Sequence, residues 1–467
     1  RYDEQQPAGR RDSPAQPATP SRAAPAVGRG PFVGENLGEK GREVEAQDLA
    51  PVMGADGSRL PNELWRGMTV AEIEKLMGSL AIPPRSAALH DLWRRLLIAR
   101  SAEPSGGKTA THFLSLRLAA LYKSGLLKDL EAATGSPPPA LVPIAGNGNG
   151  AKDGVAPADD LVLAVQRAKA QLGHGQREAA CASARSARYQ GEVPRPVAQD
   201  ALLLIAYCAA AEGNPAAASL TVDLAREQRM EAPLAFAIVD HMASGNAAAR
   251  FKPALPKDVS LIDYRFLQLV QADDGLRLME RAEPALVAAL ARESTADPRT
   301  HVEAAEDAAR IYAIDPDALA RAYREVALPA DSGDPLSAAM TKLDPPSRRA
   351  ALAQAIATER TPVRKARLIQ ALLQEARSHT LYVPVAQGLM AEIKTLKQAG
   401  DVAFFAETAV EIALAGGDYA AAVSWAVFGS VQERGADRSG RHDGLMHWMT
   451  LIDIAGAQEF VPRGSGL

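Results

Sequence analysis

The fold is decided by residues 211–218, which read Ala-Glu-Gly-Asn-Pro-Ala-Ala-Ala. Gly213 can end a helix, because glycine adopts the left-handed backbone conformation that closes a helix C-terminus. Asn214 can accept the free N–H groups of a following helix, and Pro215 supplies a preset φ at its first position. The stretch therefore predicts two α-helices joined by a tight turn.

The pairing of a polar residue with proline, as at Asn214-Pro215, recurs along the second half of the chain. Six further junctions have this form: Glu283-Pro284, Asp297-Pro298, Asp315-Pro316, Asp334-Pro335, Asp344-Pro345 and Thr361-Pro362. Each one predicts a helix start. Aromatic residues make up only 5% of the chain, whereas sheets favour aromatic and β-branched side chains. The sequence therefore predicts an all-α fold.

Two other stretches resemble the turn at 211–218. Residues 172–180 read Leu-Gly-His-Gly-Gln-Arg-Glu-Ala-Ala, and residues 415–422 read Ala-Gly-Gly-Asp-Tyr-Ala-Ala-Ala. All three resemble the turn and second-helix start of tetratricopeptide-like (TPR-like) units, where small residues let two helices of a hairpin approach closely. The resemblance implies a degenerate α-solenoid of helical hairpins. A non-repeating helical bundle is the alternative, since the step from Gly173 to Gly213 is not followed by regular copies.

Composition divides the chain into five parts. Residues 1–60 are rich in Pro, Ala, Gly and charged residues without an apolar period, and we expect a disordered tether. Residues 135–158 contain three consecutive prolines and a Gly-Asn-Gly-Asn-Gly run, which indicates a linker. Residues 61–134 predict a small helical unit that either forms its own bundle or docks onto the helical-repeat domain of residues 159–458. Residues 459–467 resemble a cloning site followed by a thrombin-type cleavage sequence.

Charge and hydropathy argue against two classes of partner. The formal net charge of -4 and the pI near 6.1 provide no general attraction to nucleic acid. No stretch approaches the roughly 18 consecutive apolar residues of a membrane span. We therefore expect a protein partner, without nucleic acid and without a membrane span in this chain.

One motif resembles a nucleotide-binding loop. Residues 102–109 read Ala-Glu-Pro-Ser-Gly-Gly-Lys-Thr, which fits a relaxed phosphate-loop spacing. Such a loop needs a buried strand before it and a helix after it, so that backbone N–H groups converge on the phosphates. The preceding residues 92–100 read instead as an amphipathic helix. We predict an ordinary connection, and a nucleotide hydrolase using the Gly106–Thr109 loop is the alternative.

The other polar residues form no recognisable catalytic or metal-binding pattern. The eight histidines lack the i, i+4 spacing around a glutamate that a helical zinc site requires. We therefore predict no catalytic residue, no cofactor and no metal ligand. A cell-wall enzyme whose catalytic part lies elsewhere is a further alternative.

The two cysteines are the most informative side chains. Cys181 and Cys208 fall in neighbouring predicted helices of about residues 175–190 and about 196–212. If these helices are antiparallel, the two residues differ in level by about one helical turn. This separation makes a disulfide reachable. Two buried reduced thiols are the alternative.

Two groups of side chains in the last third of the chain could face a partner. The first is aromatic and has core packing as its default role: Phe404, Phe405, Tyr419, Trp425 and Trp448. The second is basic and is predicted to be a solvated face that an acidic partner could use: Arg348, Arg349, Arg360, Arg364, Lys365 and Arg367.

Together these observations favour a non-enzymatic protein-binding scaffold or adaptor. The Ala-, Arg- and Pro-rich composition resembles that of proteins from high-GC bacteria. The chain also begins at Arg1 rather than Met, ahead of the predicted tether. We therefore expect a role in a bacterial cell-envelope assembly and a periplasmic location, with the cytoplasm as the alternative.

Overall fold

The computed structural model describes residues 60–61, 63–99, 104, 110–135, 157–186, 193–245, 251–272, 278–293, 298–328, 333–337, 342–436 and 443–454. Except at their margins, the predicted tether and linker lie outside these residues, as does the whole predicted tail. The described helices therefore belong to the predicted small helical unit of residues 61–134 and to the predicted helical-repeat domain of residues 159–458.

The described residues form twenty α-helices and one short 3₁₀-helix at Gly400–Phe405. The α-helices, in chain order, are α1 Val70–Ser79, α2 Ala87–Ile98, α3 Ala110–Lys123, α4 Leu127–Thr134, α5 Pro157–Gly173, α6 Arg177–Ser186, α7 Arg195–Ala211, α8 Pro215–Glu227, α9 Pro233–Ala243, α10 Leu261–Leu269, α11 Pro284–Leu290, α12 Pro298–Arg310, α13 Pro316–Glu325, α14 Pro345–Thr358, α15 Pro362–Ser378, α16 Tyr382–Gly388, α17 Met390–Thr395, α18 Ala406–Ala415, α19 Tyr419–Ala436 and α20 Asp443–Ile454. Within the described part there is no β-strand, and β-structure is limited to isolated bridge residues such as the pair Val259 and Ala282. The all-α prediction is confirmed.

Six of the seven predicted cap–proline junctions begin helices, namely α8, α11, α12, α13, α14 and α15. At Asn214 the side chain accepts the N–H of Ala217 at 3.1 Å, as a helix cap does. The prediction at Asp334-Pro335 is wrong. There the Asp334 carboxylate accepts the N–H of Leu336, only two residues ahead. A hydrogen bond over two residues forms a local turn and does not cap a helix.

The helices are joined by one recurring turn. At Gly213 φ is +76°, and the next N–H, of Asn214, donates to the carbonyl of Ala209, five residues earlier. This is the Schellman arrangement, which satisfies the last free carbonyls of a helix. The same geometry occurs with the left-handed residue at Gly125, Gly175, Arg229, Gln271, Tyr312, Thr380 and Gly417. The three turns that look alike in sequence therefore have the same backbone structure, and the turn is more widespread than its glycines indicate.

Most helix contacts are between neighbours in the chain, which is the packing expected of a helical-hairpin array. The pairs α7/α8, α18/α19 and α5/α6 have the most extensive contacts. A single hydrophobic core extends from Trp93 in α2 to Ile452 in α20. Helices α3 and α4 pack against α5 and α11, so these two helices of the 61–134 segment dock onto the array. Helix α1 contributes instead to a small separate cluster of Val70, Ile73 and Phe113.

Arginine side chains cap helix ends that are distant in sequence. Arg265 of α10 donates to the carbonyl of Leu172 near the end of α5, at 3.1 Å from Nε and 2.7 Å from Nη2. In the same way, Arg310 of α12 donates to the carbonyl of His379, which follows α15. Each carbonyl also accepts a local hydrogen bond, Leu172 from the Gly175 N–H and His379 from the Thr380 hydroxyl. The arginines therefore add a second donor at these helix ends.

A disulfide joins Cys181 of α6 to Cys208 of α7, with 5.6 Å between their Cα atoms. Both residues are buried, with 5% and 3% of their surface exposed. The bond therefore lies inside the core, in agreement with the antiparallel hairpin used to place the two cysteines at similar levels.

Replacing Gly125 by alanine is expected to destabilise the fold by about 2–3 kcal/mol, because two costs add. The residue is left-handed, with φ at +73°, and a Cβ there would lie 2.6 Å from the Pro284 carbonyl oxygen. Chemical denaturation measures the change. Gly213→Ala is the matched control, since its φ is +76° but no atom lies within 4 Å of its Cβ position. Equal losses for the two variants would contradict the close approach of the α3–α4 turn to α11.

Candidate partner-binding groove

Two adjoining cavities form a groove in the middle of the array, and both are lined by Pro316 and Pro384. We call it the Pro316–Pro384 groove. The apolar cavity is narrow, about 50 Å³, with walls that include Leu319, Tyr323, Ile356, Leu372, Val385 and Leu389. The polar cavity is about 210 Å³, with walls that include His90, Arg94, Lys128, Arg292, Tyr312 and Asp315. One end of the groove thus suits hydrocarbon, and the other suits charged or hydrogen-bonding groups.

The groove lies where α13 and α16 pack against each other. Pro316 is the first residue of α13, and Pro384 lies in the first turn of α16, where proline costs no helical hydrogen bond. At the other end of α16, a Cβ on Gly388 would lie 3.5 Å from the Pro316 carbonyl oxygen. A small residue at this position lets the two helices approach closely.

A buried ionic network supports the floor of the apolar cavity. The Tyr323 hydroxyl donates to Glu306 Oε1 at 3.0 Å. Arg349 donates to the same carboxylate from Nε at 2.7 Å and from Nη2 at 2.5 Å. Arg349 and Glu306 are each only 1% exposed. The prediction that the basic group around Arg349 is solvated is therefore wrong at this residue. It is also wrong at Lys365, which is 8% exposed and pairs with Glu392 at 2.6 Å.

The pKa values of Tyr323 and Arg349 are both raised, but burial acts in opposite directions on the two groups. Burial raises the pKa of Tyr323 well above its usual range, and the nearby Glu306 charge raises it further, so the hydroxyl stays protonated and can donate. For Arg349, burial alone would lower the pKa, but the hydrogen bonds and charge of Glu306 outweigh it and raise the pKa. The guanidinium therefore remains charged and holds Glu306 in place beneath the groove.

At the polar end, the His90 ring packs against Tyr312, with 5.3 Å between the ring centroids. His90 is only 4% exposed, and its buried Nε2 has no hydrogen-bond partner among the described residues. Burial is the main cause that lowers the pKa of His90, and the positive charge of Arg94 adds to it. The imidazole is therefore neutral near pH 7, with one ring nitrogen still able to make a hydrogen bond.

The acidic residues of the polar end each have a basic partner. Asp129 accepts two hydrogen bonds from Arg94, at 2.6 and 2.7 Å. Asp315 pairs with Lys128 at 3.0 Å, and Asp91 pairs with Arg95 at 2.8 Å.

The remaining cation of the polar end is Arg292. It donates to the carbonyls of Ala288 and Ala313, at 3.0 and 3.2 Å. In the part of the chain that the structure describes, no carboxylate forms an ion pair with Arg292. Burial lowers the pKa of Arg292, and the charge of the nearby Asp315 opposes this shift only in part, as expected for a cation removed from water without a direct ion pair.

The predicted aromatic partner surface is wrong for three of its five residues. Phe405, Trp425 and Trp448 are buried, at 0%, 4% and 6% exposure, whereas Phe404 is 47% exposed. Tyr419 is half-buried. The rings of Phe405 and Trp425 pack edge to face, with centroids 6.0 Å apart. These side chains fill the interior of the last hairpins, which was their default role.

Among residues 102–109, the predicted loop, the structure describes only Pro104, so the loop itself lies outside the described residues. The element before it is helix α2, and the element after it is helix α3. Over the described ranges, no three His, Cys, Asp or Glu residues are grouped to hold a metal ion. No helix there is long and apolar enough to span a membrane.

The groove was not predicted from the sequence. Its walls come from residues 87–94, 126–129, 292–324, 353–372 and 384–392, and only packing brings these segments together. The junction at Asp315-Pro316 was recognised, but as a helix start. Comparisons with protein-family models, with curated proteins and with solved structures found no match to this chain.

Proposed function

We propose that the chain is a non-enzymatic scaffold or adaptor that binds a segment of another protein in the Pro316–Pro384 groove. The observation that carries this proposal is the joining of a narrow apolar cavity to a polar one along the same groove. Binding sites for peptides combine pockets for apolar side chains with a few well-placed polar groups. The groove has both.

The architecture supports a binding role. Arrays of helical hairpins present side chains from several consecutive helices along one surface, and they commonly bind proteins there. The recurring Schellman turn and the closely packed small residues of the hairpins support a relation to TPR-like arrays, which we include in the proposal.

We further propose that the protein acts in a bacterial cell-envelope assembly, in the periplasm. The cysteines support this location, because a buried disulfide such as Cys181–Cys208 forms and persists in oxidising compartments. In the reducing cytosol the same pair would remain as thiols.

Site-specific photocross-linking in cells of the source organism tests the binding role. Ala357 lines the apolar cavity and is exposed, so a photoreactive phenylalanine there should cross-link to one defined protein. Ala216 in α8 is an exposed alanine remote in sequence from the groove walls and serves as the matched control. Filling the cavity by Ala320→Trp should abolish the Ala357 product. An identical set of products from both positions would overturn the proposal.

The nucleotide hydrolase is the competing function. We expect ATP with magnesium to leave the melting temperature of the protein unchanged, because helix α2 before the loop cannot provide the strand geometry of a phosphate loop. A stabilisation by ATP that Lys108→Ala abolishes would favour the hydrolase instead.

A further inference from the structure

We infer that the polar end of the groove binds a carboxylate of the partner segment, between His90 Nε2 and the Arg292 guanidinium. A nearby aliphatic side chain of the same segment would occupy the apolar cavity. The inference rests on the proposed function and specifies the chemistry of the partner.

The first support is the unpartnered nitrogen of His90. Buried polar atoms almost always have a hydrogen-bond partner, and an exception calls for an explanation such as a bound group. His90 Nε2 is buried without one in the described part of the chain, and the residue lines the polar cavity. A carboxylate oxygen placed in the cavity would accept a hydrogen bond from this nitrogen.

The second support is the charge balance of the polar end. Its three acidic residues already have basic partners, in Arg94, Arg95 and Lys128. Among the described residues, Arg292 donates to two carbonyls, although its guanidinium has five N–H donors. An added carboxylate would therefore meet a cation that has no direct ion pair among the described residues, and Arg–carboxylate hydrogen bonds are among the strongest in proteins.

The two groups line the same cavity and contact adjacent residues of the chain. His90 packs on the ring of Tyr312, and Arg292 donates to the carbonyl of Ala313, the following residue. Both therefore contact the short segment of Tyr312 and Ala313, which precedes α13 and its first residue, Pro316. Pro316, which follows this segment, lines the apolar cavity as well.

Charge complementarity selects the carboxylate over a basic group. A lysine or arginine of the partner would be repelled by Arg292 and would find each lining carboxylate already paired. The narrow apolar cavity, with Leu319, Ile356 and Leu389 in its walls, suits an aliphatic side chain better than an aromatic ring. The predicted occupant is therefore a segment that carries an aliphatic and an acidic group close together.

The test uses 4-methylpentanoate, which combines a branched aliphatic chain with a carboxylate, and the uncharged 4-methylpentanamide as its matched control. Saturation-transfer NMR on the full chain measures the binding of each. We expect the acid to bind with a dissociation constant on the order of 1 mM, as is reasonable for so small a ligand. The amide should bind at least about tenfold more weakly, since it carries no charge for Arg292.

Variants locate the binding site. His90→Phe retains a ring against Tyr312 and should weaken acid binding about tenfold, the loss of one hydrogen bond to a charged group. Arg292→Gln should have a similar effect, and His90→Phe remains informative if Arg292→Gln disturbs the helix ends that Arg292 caps. His112→Phe is the control, since His112 is 43% exposed and is not among the residues that line the groove.

Equal binding of acid and amide, or acid binding unaffected by His90→Phe, would overturn the carboxylate inference. The proposed function would survive that result, provided that the cross-link from Ala357 still forms. Conversely, acid binding that depends on His90 without any groove-specific cross-link would support the carboxylate site and overturn the scaffold proposal.

Discussion

Replacing Arg349 by methionine is expected to destabilise the fold by about 3–5 kcal/mol, because the change removes the two short hydrogen bonds of a buried carboxylate. Glu306 would then keep only the longer contact of 3.3 Å with the partly exposed Arg310 as a charged partner among the described residues. Arg349 and Glu306 are almost fully enclosed, so water cannot replace the lost hydrogen bonds. Tyr323 should lose its fixed position as well, since its hydroxyl donates to the same carboxylate. Urea denaturation followed by circular dichroism measures the loss.

Two controls separate this effect from a general sensitivity of α12 and α14. Arg299→Met breaks a pair with Glu303 on α12 in which Arg299 is 60% exposed, and it should cost less than about 1 kcal/mol. The double variant Glu306→Leu/Arg349→Met removes both charges and should recover much of the single variant's loss. Arg349 Nη1 already lacks a hydrogen-bond partner within the described residues, so the native pair is itself incompletely satisfied. A double variant less stable than Arg349→Met would contradict this explanation.

Breaking the disulfide between Cys181 and Cys208 should destabilise the protein by about 3–4 kcal/mol on the chain-entropy model. The bond closes a loop with a sequence separation of 27, and its loss frees that loop in the unfolded chain. Denaturation of the wild type with and without a reductant measures the effect. The variant Cys181→Ala/Cys208→Ala should be destabilised in both conditions, and the reductant should not alter its midpoint.

Labelling thiols under denaturing conditions then relates the bond to the location of the protein. In material taken from its native compartment, we expect no labelling without a reductant and two labelled cysteines with it. Two labelled cysteines in unreduced native material would remove the chemical argument for the periplasm. They would leave the helical array and its groove unaffected.

The helices were predictable where their signals are local. The side chain that caps α8 at Asn214 lies three residues from the N–H that it accepts, so a short stretch of sequence contains the whole interaction. The Schellman turns at Arg229, Gln271, Tyr312 and Thr380 were missed for the opposite reason. Only glycine reveals a left-handed residue in sequence, whereas these four residues carry side chains and are held in the same conformation by the hydrogen bonds of the Schellman turn.

The groove and its supporting network were not predictable, because their partners are distant in sequence. Arg349 sits in a basic stretch that is typical of a solvated face, and its burial depends on Glu306, 43 residues earlier. His90 and Tyr312 are farther apart still. The cysteines are the exception. Counting residues along two antiparallel helices was enough to show that a disulfide between them was geometrically reachable.

The arginine caps make the array less modular than its hairpins imply. If each hairpin contacted only its neighbours, unfolding could begin at either end and proceed one unit at a time. Arg265 instead links α10 to the end of α5, across 93 residues, and Arg310 links α12 to the end of α15, across 69. Loss of one distant hairpin therefore removes arginine hydrogen bonds from the helix end of another, which couples their stabilities. The middle of the array should behave as one cooperative folding unit that keeps the groove intact until the whole of it unfolds.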